Sequence, residues 1–108
     1  MNFQLWVEAK RKMALSMNDK SPEELVALAD ELERAYETDL HRTKHMSHLP
    51  NISKYFPGGP TILLHYAAQI AKNLAALKTG TGTESVLKYE NYLLLKEFPP
   101  ECREVLGI

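Results

Sequence analysis

Apolar residues recur at the 3.6-residue pitch of an α-helix through nearly all of this 108-residue chain, and no useful run alternates at the two-residue period of a strand. That pattern restricts the fold to helices packed on helices. Where the pitch breaks, the residues are those that start and stop helices: Ser21-Pro22, Pro50, Pro57-Gly58-Gly59-Pro60, Gly80, Gly82 and Pro99-Pro100. The expected architecture is all-α: one domain over 1–108, a compact bundle of four main helices with a short C-terminal helical turn.

The spacing predicts a first helix over Asn2 to Met17, with Phe3, Trp6, Val7, Met13, Ala14 and Met17 on one side. Ser21-Pro22-Glu23-Glu24 then forms a capping box with proline at the first helical position, opening a long second helix. Its stripe is Leu25, Leu28, Ala29, Leu32, Tyr36, Leu40 and Met46, and its end is expected near Leu49, because proline disfavours α backbone in the residue before it. Pro50 to Gly59 reads as the main irregular connection. A third helix from Pro60 to Lys78 is apolar around most of its circumference, so it is expected at the centre of the bundle. Thr79 to Thr83 supplies a C-terminal glycine and the next N-cap. The fourth helix follows, with Val86, Leu87, Tyr89, Tyr92, Leu93, Leu94, Leu95 and Phe98, too many apolar positions for one narrow stripe. Glu101 to Leu106 makes the terminal turn.

Size and composition narrow the function classes. A chain of this length buries about two thirds of its unfolded surface and needs no metal or disulfide staple. With Cys102 as its one cysteine it has no internal disulfide, which points to a reducing compartment, the cytoplasm. Glu8, Lys10, Arg11 and Lys12 interrupt Met1 to Met17, unlike a signal peptide. His65, Gln69, Lys72 and Asn73 interrupt the most apolar stretch, Ile62 to Leu77, which is also shorter than the ~20 residues of a membrane span. No membrane partner is expected. A formal net charge of -1 gives no strong footprint for nucleic acid.

Four groups carry candidate chemistry. His41, His45 and His48, with Glu37 one turn earlier, have a spacing that can gather divalent-metal ligands on one helical face. The same projection turns that face away from the Leu25–Leu40 stripe and into solvent, where a purposeful site would lack orienting partners. Lys10, Arg11 and Lys12, with Lys20 beyond, are the dense basic run, candidates for phosphate contacts in a nucleic-acid-associated regulator. Consecutive residues lie about 100° apart, however, so these charges ring the helix and form no stripe. Gly80 and Gly82 resemble a phosphate-cradling loop only weakly, since no Gly-Lys-Ser/Thr follows and a helix precedes them, so a turn between helices is the reading. Cys102 beside Arg103 has no Cys-x-x-Cys partner, and His65 has no evident nucleophile to serve.

What remains is surplus apolar and aromatic surface. Trp6, Met13, Met17, Tyr55, Phe56, Tyr89 and Tyr92 exceed the evident needs of a small core and belong to types favoured at protein–protein interfaces. The expectation is a non-enzymatic interaction module without cofactor: an adaptor, inhibitor or regulatory subunit that presents a helix face to a partner protein or to a second copy of itself. A nucleic-acid regulator on the basic N-terminal helix is the alternative, and metal binding by the histidine row the third.

Overall fold

The computed structural model describes residues 17–43, 49–50, 52, 55–56, 59–100, 103 and 106. Three α-helices stand among them: α1, Pro22–Thr43; α2, Ile62–Thr79; and α3, Glu84–Leu95, preceded by a 3-10 turn at Met17–Asp19. The fold is thus mostly helical, and no strand occurs among the described residues. Three of the four expected main helices stand among the described residues, and Arg103 and Leu106 are helical within the expected C-terminal turn. The first expected helix lies outside the described residues except for Met17, which belongs to the 3-10 turn. A radius of gyration of 13.3 Å matches the ~13 Å of a well-packed chain of about 100 residues.

Helix α1 begins as the capping box predicts. Ser21 Oγ accepts the Glu24 amide at 3.2 Å, and the Ser21 amide donates to Glu24 Oε1 at 3.0 Å, so two otherwise orphaned donors are satisfied. The amide and hydroxyl of Ser21 also hold the Glu24 carboxyl below its ordinary pKa. Ser21→Ala is expected to cost about 1 kcal/mol of stability, and Ser21→Asp only a few tenths. Urea unfolding followed by circular dichroism checks both, and an unchanged Ser21→Ala midpoint would exclude the cap as a source of stability.

Leu25, Leu28, Ala29 and Leu32 of α1 are buried against α2, whose Leu63, Leu64, Ala67, Ala68, Ile70, Ala71 and Ala75 are buried in turn. The alanines let the two helices approach closely, and each fully buried leucine contributes about 1.5–3 kcal/mol. Helix α2 is central, as its all-round apolar character predicts, and packs much more extensively on α1 than on α3. Met17, Phe56, Phe98 and Leu106 complete the core, with the Phe56 and Phe98 rings meeting edge to face at 5.7 Å.

The ends of α2 and α3 differ in detail from expectation. Pro60 does not open α2. It pairs with Pro50 in an isolated antiparallel bridge; Thr61 is the N-cap, and its amide donates to the Leu49 carbonyl at 2.9 Å. At the other end Gly80 takes φ 72°, and the amides of Gly80 and Thr81 donate to Leu77 and Ala76, a Schellman closure that a Cβ at Gly80 would strain. Thr83 stands at the N-cap of α3 without a side-chain cap bond. Helix α3 ends at Leu95, not Phe98: the amides of Glu97 and Phe98 reach back three residues in a tightening turn before Pro99. Arg103 Nε caps this end, donating to the Leu95 and Phe98 carbonyls at 3.0 and 3.1 Å.

Asp39 is the charged residue among the buried ones described, 2% exposed. It lies two helical turns after Leu32, in register with the apolar stripe of α1. Its carboxylate accepts from Thr61 Oγ1 at 2.5 Å, Arg42 Nε at 3.0 Å and the Ile52 amide at 3.3 Å. The single Thr61 hydroxyl hydrogen is shared with the Leu49 carbonyl at 2.8 Å, and Arg42 Nη2 donates to the Pro50 carbonyl at 2.7 Å. One carboxylate therefore ties the end of α1, the following connection and the start of α2 together. Burial alone would raise its pKa, but the bonds from Arg42, Thr61 and Ile52, with the Arg42 charge, outweigh it and hold Asp39 below the ordinary aspartate range.

Candidate functional site

Seven large apolar residues occupy the twelve positions of α3, yet its one buried residue is Asn91. Leu87, Leu94 and Leu95 lean on the bundle half-buried. The opposite side is left in water: Tyr89 is 63% exposed, Val86 59%, Tyr92 55% and Leu93 44%. At about 100° per residue these four fall within one third of the helix circumference, forming a contiguous face. The rings of Tyr89 and Tyr92 stack with centroids 6.4 Å apart, and Lys96 Nζ lies 4.5 Å over the Tyr92 centroid, so the aromatic pair is ordered by its own neighbours. Lys88 Nζ meets Glu84 Oε1 at 2.6 Å on the flank and holds the Glu84 carboxyl below its ordinary pKa.

Polar groups fix the orientation of this face. Asn73 of α2 donates through Nδ2 to Asn91 Oδ1 at 2.9 Å and to Glu90 Oε1 at 3.1 Å. Both asparagines are buried. A buried amide pair satisfies itself only in one register, so it prevents α3 from rolling to bury its tyrosines. Sequence reasoning found Tyr89 and Tyr92 but did not single out Val86 and Leu93 as partners in the same face. The signal was the asparagine: placing Asn91 inward would have turned both residues outward.

The remaining interface candidates separate. Met17 and Phe56 are fully buried and present no surface, which corrects their assignment to partner binding. Tyr55 is half-buried, and its hydroxyl donates to Glu31 Oε2 at 3.1 Å; burial, then that carboxylate, raises its pKa. Trp6 and Met13 lie outside the described residues.

Half of the metal candidates and most of the basic run lie outside the described residues. Glu37 and His41 are exposed on α1, His45 and His48 lie outside the described residues, and among the described residues no cluster of three or more histidine, cysteine or acidic side chains is arranged to hold a metal. Of the basic run only Lys20 is described; its carbonyl and that of Asn18 accept from Lys78 Nζ, both at 2.5 Å. Cys102 is also outside the described residues. His65 Nδ1 lies 2.8 Å from Glu33 Oε1 and its ring centroid 5.2 Å from that of Tyr36, the packing role expected of a histidine between two helices. An open groove of about 520 Å³ runs past Pro22, Val26, Ala75 and Ala76, with Glu23 and Lys72 as its charged members.

No helix among the described residues is long and apolar enough to cross a membrane. Comparison of the chain with known protein families, with curated proteins and with solved structures finds no match.

Proposed function

We propose that this chain is a non-enzymatic protein-interaction module of the cytoplasm, an adaptor, inhibitor or regulatory subunit whose binding surface is the Val86, Tyr89, Tyr92 and Leu93 face of α3. One observation carries the reading: a helix rich in large apolar residues buries only an asparagine. Half-exposed tyrosines and branched aliphatics gathered on one face form a patch of the kind that marks interaction sites, whereas scattered apolar residues need no explanation. The tyrosines are rigid and amphipathic, so covering them costs little side-chain entropy.

A photo-reactive phenylalanine analogue at position 89 or 92, irradiated in living cells, tests this reading. Covalent adducts are expected at both positions and not at Glu37, an exposed control on α1. Adduct yields at positions 89 and 92 no higher than at 37 would refute it.

A further inference from the structure

We draw no further inference here: the strongest candidate, the open apolar groove between the start of α1 and the end of α2 with Glu23 and Lys72 as its charged members, carries nothing, because nothing in the structure shows what covers it.

Discussion

Phe56→Ala is expected to lower the stability of the fold by about 3–5 kcal/mol, the cost of deleting a fully buried aromatic ring and leaving its cavity. The ring is wholly inaccessible and meets Phe98 edge to face with centroids 5.7 Å apart. Its removal takes the transfer free energy of the side chain, the aromatic pair and part of the cover over α2 in one change. Against a typical total of about 5–15 kcal/mol, that leaves a marginal protein. For a chain of this size the melting temperature should fall by roughly 15–30 °C. The contrast is Tyr89→Ala, an exposed change expected to stay within about 0.5 kcal/mol. Paired urea titrations measure both, and a Phe56→Ala loss below about 1 kcal/mol would contradict its place in the core.

The same two residues mark where the sequence is legible. Helix positions came from periodicity, and Leu25, Leu28, Ala29 and Leu32 are buried as their spacing predicts. The exposure of Glu37 and His41 follows from the same projection, and the Ser21–Glu24 cap is readable because it is local. Phe56 stands in a connection without a period, so nothing in its neighbours indicates a face, and loops generally run over the surface. Here the connection closes the core beneath it. Tyr89 has the opposite difficulty: α3 is apolar on nearly every side, and only its packing against α2 decides which side is buried. Asp39 was missed because its meaning is long-range. A carboxylate in the apolar register of α1 is an anomaly that sequence can display, but its partners Ile52 and Thr61 lie 13 and 22 residues away.

That carboxylate gives the second large effect, and its dependence on pH separates electrostatics from packing. Asp39→Ala is expected to cost about 2–4 kcal/mol, because the Ile52 amide loses its acceptor and Arg42 loses its buried counter-charge. Arg42 is partly exposed and still bonds the Pro50 carbonyl, which keeps the figure below that of a fully buried pair. Asp39→Asn retains the volume, so its deficit reports mainly the charge. Because the folded state holds the Asp39 pKa below its unfolded value, the carboxylate stabilises the fold fully above the ordinary aspartate pKa of ~3.9. That contribution disappears as pH falls through the still lower folded-state value. Stability of the wild-type chain and of Asp39→Asn should therefore differ by a constant amount near neutrality and converge in acid below about pH 4. Subtracting the two curves cancels Glu24 and Glu84, whose lowered pKa values are common to both proteins. A gap that persisted unchanged to the acid limit would mean that residue 39 acts through its shape alone, and the anchoring of α1 to α2 would have to come from Thr61 and the Leu49 carbonyl instead.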